Sequence, residues 1–393
     1  MLQINEATRL YIREHTGEDV RRLALQPRRH DVDMPFALDQ IAGREVARHK
    51  LPAWAAIEGI VYPPHLALEQ CSGEAAARYK ASLLSGGTLV DLTGGLGVDF
   101  SFMSRGFQRA IYVERQEALC EIVDHNFRLM EFDNIEVVNG DGVQYLNDMF
   151  PVDVIYLDPA RRDAAGRRTY SIADCTPDVQ ALADTLLAKA PTVLVKLSPM
   201  LDVSHVLATL PCVTDVHIVS TGGECKELLV LMRRGALSPK TVHCVNDGID
   251  FAYELGGTIP AVELWDGESR GVMYLYEPNP SMMKAGCFNQ VAEYYGMQVV
   301  SHDSHLLVSD KYADNFSGRC FIIDAVTTMN KGELKHILVG ISHANVAVRN
   351  FPMRAADLAK RLGLKDGGDT YIFGTTTASG KRILLICRKT ESC

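Results

Sequence analysis

Paired cysteines, long apolar runs and a leader-like N-terminus are all missing from this sequence of 393 residues. Its ten cysteines occur singly, without a Cys-x-x-Cys pair, which argues against a disulfide framework and a zinc cluster. No apolar run is long enough to span a membrane, and the segment MLQINEATRLYIREH carries acidic residues where a signal peptide needs a basic end and an apolar stretch. We therefore expect a cytoplasmic protein with reduced thiols and no membrane partner.

Metal-binding clusters are also scarce. His302 and His305 have a spacing that would allow both to bind one ion, but no third ligand is evident nearby, so we expect no metal site. The net charge of −9 excludes a protein that coats nucleic acid over its whole surface. The charge is uneven, however, because the segment from Lys331 onward has eleven Lys and Arg against five Asp and Glu. A local basic surface is expected there.

What is present is a composition typical of folded proteins, with 47% hydrophobic and 23% charged residues. The length suggests two or three domains. Apolar residues at helical spacing predict a helical N-terminal part, and short apolar strands alternating with helices then predict a doubly wound, Rossmann-like α/β sheet. Beyond about Gly235 the pattern is mixed, which predicts small α+β units. The predicted domains are 1–82, 83–236, 237–320 and 321–393.

The α/β region contains a glycine-rich turn after its first strand, in LVDLTGGLGVDF. Small residues there let backbone N–H groups approach a ligand closely, which predicts a nucleotide-like ligand at Thr93, Gly94, Gly95 and Gly97. The spacing departs from the dinucleotide fingerprint, because the third glycine would fall at Phe100. NAD or FAD is therefore the weaker prediction.

Four carboxylates follow the first four predicted strands, and parallel strands end at the same edge of a sheet. Asp91 ends the first strand, and Glu114 ends the second, about 20 residues after the glycines, where it can accept from a ribose diol. Asp141 follows the third, where it can accept from an adenine amino group, and Asp158 follows the fourth. The alternative is that these residues only make turns and helix caps.

Taken with these motifs, residues 88 to about 235 resemble the class I methyltransferase fold, with LVDLTGGLG as motif I and DPAR, from Asp158, as motif IV. The resemblance implies S-adenosylmethionine as the cofactor, bound by Asp91, Glu114, Asp141, Asp158 and the glycine turn. The whole chain further resembles a bacterial family with a helical N-terminal part, a ferredoxin-like unit and a C-terminal THUMP-like domain. The substrate implied by the second resemblance is unsettled.

On the substrate side, Asp158, Pro159 and Arg161 are the predicted catalytic residues. Asp158 is expected to face the methyl group and to accept a proton or a hydrogen bond from the target atom. Enzymes that methylate exocyclic amino groups usually have a second proline and an aromatic residue here, and this chain has Ala160 and Arg161 instead. Arginines at 161, 162, 167 and 168 suit phosphate contacts, although a solvated loop is the alternative.

Other positions receive weaker assignments. Pyrimidine C5 methylation needs a nucleophilic cysteine, whereas the fifth strand is followed by Ser198-Pro199, and Cys225 is more readily explained as a small buried side chain. Lys196 and Glu224 remain possible substrate contacts. Tyr79 and Lys80, in the helix before motif I, are predicted to cover the cofactor, with core packing as the alternative for Tyr79.

THUMP-like domains are associated with enzymes that modify structured RNA, and the basic C-terminal segment is consistent with phosphate binding. The resemblance therefore favours methylation of a base in rRNA or tRNA. Two alternatives remain open: a methyltransferase acting on a protein or small molecule, and an RNA-binding module with an inactive methyltransferase domain. The oligomeric state stays open.

Overall fold

A computed structural model describes residues 4–27, 29–63, 68–69, 71–160, 172–237, 240–268 and 271–390. The chain forms two compact units. The first comprises the residues up to Val216 and the segment that begins at Glu227; the second comprises 217–226 and the chain after Pro239. Among the helices in these described ranges, none combines the length and the apolar character needed to cross a membrane.

The first unit begins with helices, as predicted. They are α1 (Glu6–Glu14), α2 (Val20–Ala24), α3 (Met34–Lys50), α4 (Pro52–Ala55) and α5 (Glu74–Ser82). Side-chain oxygens cap three of them: Asn5 accepts from the Thr8 amide at 2.8 Å, Asp19 from the Arg21 amide at 2.9 Å, and Asp33 from the Phe36 amide at 3.2 Å. Leu51 and Trp54 share a core cluster with Leu96, which packs α4 against the glycine turn.

A parallel sheet follows, in the strand order β3-β2-β1-β4-β5, with β7 antiparallel to β5 and β6 beside β7. The strands are β1 (Gly86–Asp91), β2 (Phe107–Glu114), β3 (Ile135–Asn139), β4 (Val154–Leu157), β5 (Thr192–Leu197), β6 (Val213–Thr221) and β7 (Glu224–Arg233). The strand order reverses between β1 and β4, and the carboxyl ends at such a switch point form the crevice where α/β proteins bind ligands.

Helices connect the parallel strands. They are α6 (Val98–Met103), α7 (Glu117–Leu129), α8 (Gly142–Asp148), α9 (Val179–Lys189) and α10 (Val203–Thr209), with short 3-10 turns at Ser104–Gly106 and Ile172–Asp174. Phe100, at the position of the missing third glycine, is fully buried in α6 and packs beside Tyr112 and Phe127. The position therefore belongs to the core.

The second unit contains a β8–β9 hairpin and a seven-stranded sheet in the order β11-β12-β10-β13-β16-β15-β14. Its strands are β8 (Thr241–Asn246), β9 (Ile249–Glu254), β10 (Met273–Pro278), β11 (Gln298–Val299), β12 (Leu307–Ser309), β13 (Gly318–Thr327), β14 (Asn345–Arg349), β15 (Thr370–Thr376) and β16 (Arg382–Lys389). Its helices are α11 (Pro280–Ala285), α12 (Phe288–Tyr295), α13 (Lys331–Ile337) and α14 (Ala355–Leu362). One core cluster, which includes Phe321, Phe373 and Leu385, supports the sheet.

The observed fold confirms the predicted class, a doubly wound α/β sheet with a helical N-terminal part and α+β elements after it. From the sequence, Gly86-Gly87 is also predicted to end the preceding helix and VELWDG to form a strand, and both predictions were wrong. Gly86 and Gly87 lie in β1 and do not end the preceding helix, because Leu83 already caps it. The segment VELWDG forms only an isolated bridge, between Leu264 and Val299. The β8–β9 hairpin was not predicted.

Candidate active site

A cavity of about 680 Å³ lies at the carboxyl ends of the parallel strands in the first unit. Its wall contains the glycine turn from Thr93 to Gly97 and the acids Asp91, Asp99, Glu114, Asp141 and Asp158. Its volume falls in the range typical of small-molecule sites. The structure thus brings the four carboxylates predicted from strand ends to one cavity.

Asp91 is buried below the glycine turn and holds the first residue of the turn, Thr93, through two hydrogen bonds. Its Oδ1 accepts from the Thr93 amide at 2.9 Å and from the Thr93 hydroxyl at 3.3 Å. Burial, together with the nearby carboxylates of Asp99 and Asp158, raises the pKa of Asp91 to about 8, although the hydrogen bonds from Thr93 oppose the shift. A cation placed in the cavity would offset this desolvation and favour the ionised carboxylate.

Glu114 and Asp141 are both oriented by backbone N–H groups. Glu114 accepts from the Gly95 amide at 2.9 Å with Oε2 and from the Gln116 amide at 2.8 Å with Oε1. Asp141 caps α8, where its Oδ1 accepts from the Val143 and Gln144 amides at 2.9 and 3.0 Å. A carboxylate oxygen has two acceptor sites, so both residues keep capacity for a ligand.

Two glycines in the cavity wall have no room for a side chain. A Cβ at Gly94 would lie 2.2 Å from Cε2 of Tyr112, and a Cβ at Gly142 would lie 2.0 Å from the carbonyl oxygen of Leu92. The Tyr112 hydroxyl also donates to the Gly95 carbonyl, so the ring supports the turn from behind. The glycines therefore set the shape of the cavity through close packing.

Asp158 and Pro159 continue from β4 into the cavity wall. The Asp158 amide donates to the Thr93 hydroxyl at 2.7 Å, which ties motif IV to the glycine turn. Its carboxylate Oδ2 lies 2.6 Å from Nζ of Lys196, on β5. Burial lowers the pKa of Lys196, but the carboxylates of Asp158, Asp99 and Glu227 outweigh it and hold that pKa above its usual value.

Lys196 is part of a chain of buried charges. Its ammonium lies 3.7 Å from Asp99 Oδ2, and Oδ1 of Asp99 lies 3.2 Å from Nζ of Lys80. Lys80 in turn lies 2.6 Å from Oε1 of Glu227, on β7. The hydroxyls of Ser72 and Tyr156 each donate to Asp99 at 2.8 Å. Below, the ion chain means Glu227, Lys80, Asp99, Lys196 and Asp158 in this order.

The prediction that Lys80 covers the cofactor was wrong, because its side chain is fully buried in the ion chain. Glu224, a possible substrate contact by sequence, pairs with Lys226 at 2.5 Å on the β6–β7 hairpin and does not line the cavity. Ser198 does line the cavity. Four predicted phosphate contacts lie outside the described residues, and one of them, Arg161, is also a predicted catalytic residue: Arg161, Arg162, Arg167 and Arg168.

Sequence reasoning missed Asp99 and Glu227. Asp99 lies in the helix after the glycine turn, two residues beyond motif I, so its nearness to the motif was a local signal. Glu227 had no such signal. It is an acid among the apolar residues of β7, and its role becomes apparent only from its hydrogen bond with Lys80, which is distant in sequence.

Family models match three parts of the chain. Residues 318–389 match a THUMP domain-like model, residues 274–316 match a ferredoxin-like domain, and residues 75–175 match a model described as conserved hypothetical protein 95. The last of these covers the glycine turn and the strand ends that line the cavity.

Relatives match nearly the whole chain. A solved structure from Porphyromonas gingivalis W83, described as a candidate methyltransferase, shares 33% identity with a TM-score of 0.87, and the match covers 100% of both chains. Uncharacterised S-adenosylmethionine-dependent methyltransferases from two strains of Mycobacterium tuberculosis are 21% identical over 320 residues, which is 80% of this chain and 84% of theirs. The chain therefore belongs to a family of S-adenosylmethionine-dependent methyltransferases with ferredoxin-like and THUMP-like C-terminal domains.

Proposed function

We propose that this enzyme methylates structured RNA in the cytoplasm, with rRNA or tRNA as substrate and a base as the acceptor favoured by sequence. S-adenosylmethionine is bound in the cavity at the carboxyl ends of β1 to β4. The observation that carries the assignment of the cavity is the charge of its described wall: among the residues that the structure describes, five carboxylates line the cavity, against one arginine, Arg115.

The residues of this cavity fit S-adenosylmethionine better than a dinucleotide. S-adenosylmethionine carries a positive sulfonium and an amino group, both of which a cavity rich in carboxylates attracts. NAD and FAD carry a negatively charged pyrophosphate, which the same carboxylates repel. The missing Cβ atoms at Gly94 and Gly142 let Tyr112 and the Leu92 carbonyl pack directly behind the wall, which fixes the shape of the cavity.

The lining residues singled out from the sequence have distinct uses in this proposal. Glu114 would accept from the ribose diol, Asp141 would accept from the adenine amino group through Oδ2, and Thr93, Gly95 and Gly97 would form the turn beside the cofactor. Asp91 would face the positive charge of the cofactor. When bound, S-adenosylmethionine supplies an electrophilic methyl group. Asp158 and Pro159 would position the acceptor, and orientation of this kind is worth about 7–11 kcal/mol of the barrier.

The RNA substrate rests on the C-terminal segment. Residues 318–389 match a THUMP domain-like model, and the chain from Lys331 has an excess of six basic over acidic residues. Lys360 and Arg361 end α14, with Arg354 at its start. Basic clusters of this kind neutralise phosphates, so RNA binding should weaken steeply with salt.

Calorimetry with S-adenosylmethionine tests the cavity. Wild type should bind saturably, and Asp91→Ala and Glu114→Ala should lose most of the affinity. Asp124→Ala is the matched control, because Asp124 lies on the surface of α7, paired with Arg128. Absence of binding by the wild type, both alone and with RNA present, would remove the basis of the proposal and favour an RNA-binding module.

Transfer of a labelled methyl group then tests the substrate. Total RNA, cell protein and a small-molecule extract are supplied separately. We expect label in RNA, with a rate that falls steeply as salt rises. Label in protein or in small molecules, without salt dependence, would support the alternative class of methyltransferase.

A further inference from the structure

A lysine ammonium stands beside the carboxylate that is proposed to meet the acceptor. Nζ of Lys196 lies 2.6 Å from Oδ2 of Asp158, and Asp158 lines the cavity. The side chain of Lys196 is 13% exposed and that of Asp158 is 39% exposed, so the pair extends from the interior to the cavity surface. Any group bound by Asp158 would lie within about two hydrogen-bond lengths of this cation.

The ion chain holds the ammonium there. Asp99 lies 3.7 Å from Lys196 and is itself held by Lys80 and by the hydroxyls of Ser72 and Tyr156. Surrounded by carboxylates, Lys196 remains protonated, since these charges raise its pKa despite its burial. Lys196 therefore acts as a fixed cation and does not serve as a base.

Lys196 lies behind Asp158 and is not itself among the lining residues, yet a fixed cation this close to a cavity that binds a sulfonium needs an explanation, because like charges repel. An ammonium has three N–H donors, and within the described residues one of them is used, in the hydrogen bond to Asp158. The 3.7 Å separation from Asp99 is too long for a second hydrogen bond. Toward the described part of the chain, Lys196 thus retains donors next to Asp158, the lining residue proposed to meet the acceptor.

The charge of this group discriminates between acceptor atoms. A hydroxyl oxygen loses its proton during methylation and gains negative charge, which a nearby ammonium stabilises. An amino or ring nitrogen gains positive charge instead, which the same ammonium destabilises. The sequence after Pro159 also lacks the second proline and the aromatic residue usual for amino-group methylation, and Ser198-Pro199 lacks the cysteine needed for C5 methylation.

We infer that the acceptor is a hydroxyl oxygen, the ribose 2′-hydroxyl of an RNA nucleotide, held by the Asp158–Lys196 pair. This inference rests on the proposed RNA substrate and replaces the base predicted from sequence. The ribose hydroxyl is the acceptor oxygen that every RNA nucleotide offers. Among the residues that the structure describes, Asp158 binds Lys196 through Oδ2 and no side chain through Oδ1, so Oδ1 can accept from the single hydroxyl hydrogen.

The reaction balances without a further reactant. The hydroxyl O–H bond breaks and its proton passes to Oδ1 of Asp158, then to solvent, which the partly exposed side chain can reach. An O–CH₃ bond forms as the S–CH₃ bond breaks, and the electron pair of that bond remains on sulfur. Lys196 keeps its protons throughout and stabilises the oxygen as its negative charge develops.

The position of the methyl group gives the first test. The full chain is incubated with RNA and S-adenosylmethionine labelled in its methyl group, and the RNA is hydrolysed in alkali. Alkaline cleavage needs a free 2′-hydroxyl, so a 2′-O-methyl nucleotide remains in an uncleaved dinucleotide. We expect the label there. Label in mononucleotides would place the methyl on a base and overturn the inference alone, whereas no label in RNA, with the cofactor bound, would overturn the RNA substrate as well.

Variants of Lys196 give the second test. Lys196→Met should lower kcat by roughly a hundredfold, while the Kd for S-adenosylmethionine stays within about twofold of wild type. Lys196→Arg keeps the charge and should retain part of the rate. Lys226→Met is the matched control, because Lys226 is exposed on the hairpin and pairs with Glu224. Wild-type kcat in Lys196→Met, or equal loss of cofactor affinity and kcat in both variants, would show a structural role and overturn the inference.

Discussion

The contact between Gly94 and Tyr112 makes a single methyl group a sharp test of the cavity. In Gly94→Ala the new Cβ would lie 2.2 Å from Cε2 and 2.4 Å from Cζ of the tyrosine ring. The ring has little room to move, since Tyr112 is fully buried between Phe100 and Phe127 and its hydroxyl donates to the Gly95 carbonyl. Either the ring or the glycine turn must shift.

The size of the shift sets the expected cost. Carbon atoms pack at about 3.5 Å or more, so the contact must open by over about 1 Å. Overpacking of a buried site costs about 1–3 kcal/mol, and we expect the free energy of unfolding to fall by that amount. If the turn of Gly94 moves into the cavity, the Kd for S-adenosylmethionine should also rise by about tenfold, which corresponds to about 1.4 kcal/mol.

Urea unfolding and calorimetry measure the two effects. Gly257→Ala serves as the control, because the nearest atom to its added Cβ would be the Glu254 carbonyl oxygen at 4.0 Å. Tyr112→Leu removes the clashing ring atoms, so the double variant Gly94→Ala/Tyr112→Leu should lose less than the two single changes together. Wild-type stability and affinity in Gly94→Ala would refute the claim that this contact shapes the cavity.

Three further predictions concern charged groups. Burial raises the pKa of Asp91 from 3.8 to about 8, so between these values the folded protein holds a proton that the unfolded chain has released. Stability without cofactor should therefore fall from about pH 4 to about pH 8. The Tm of Asp91→Asn should fall less over the same range, and equal slopes would contradict this. Lys80→Met leaves buried carboxylates without their cation and should lower the free energy of unfolding, measured in urea, by about 3–5 kcal/mol. Adding Glu227→Gln should restore part of this loss. An unchanged urea midpoint in Lys80→Met would show that the Lys80–Glu227 pair contributes little to stability. Asp141→Ala removes a helix cap and should lower the free energy of unfolding by about 0.5–2 kcal/mol and also weaken cofactor binding. Asp202 caps α10 outside the cavity wall, so Asp202→Ala should lower stability without a change in cofactor affinity. Equal affinities in the two variants would argue against a ligand contact at Asp141.

Much of the first unit was predictable because its signals are local. Short buried strands read as apolar runs, and the residue after each run is visible in the sequence, which is how Asp91 and Glu114 could be assigned to strand ends. Parallel strands share one orientation, so residues at their carboxyl ends meet at one edge. The roles of these residues toward the cofactor stay predictions.

Local signals were weaker in the second unit. Asp247-Gly248 joins β8 to β9 and is a favourable hairpin turn, but the strands beside it include polar and cysteine residues that obscure the alternation. VELWDG has the composition of a strand, yet a strand also needs a partner edge. Leu264 finds only one bridge, to Val299. Strand formation depends on pairing, which lies outside the segment.

The sequence by itself determined the class of the fold, the glycine turn and the acids that follow each parallel strand, because periodicity and turn chemistry act over a few residues. Only the tertiary structure decided the use of the buried charges. Lys80 and Glu227 are 147 positions apart, and Lys196 and Asp158 are 38 apart. No local pattern links such residues, since their pairing depends on which strands become neighbours and on the free energy of burying each charge without a partner.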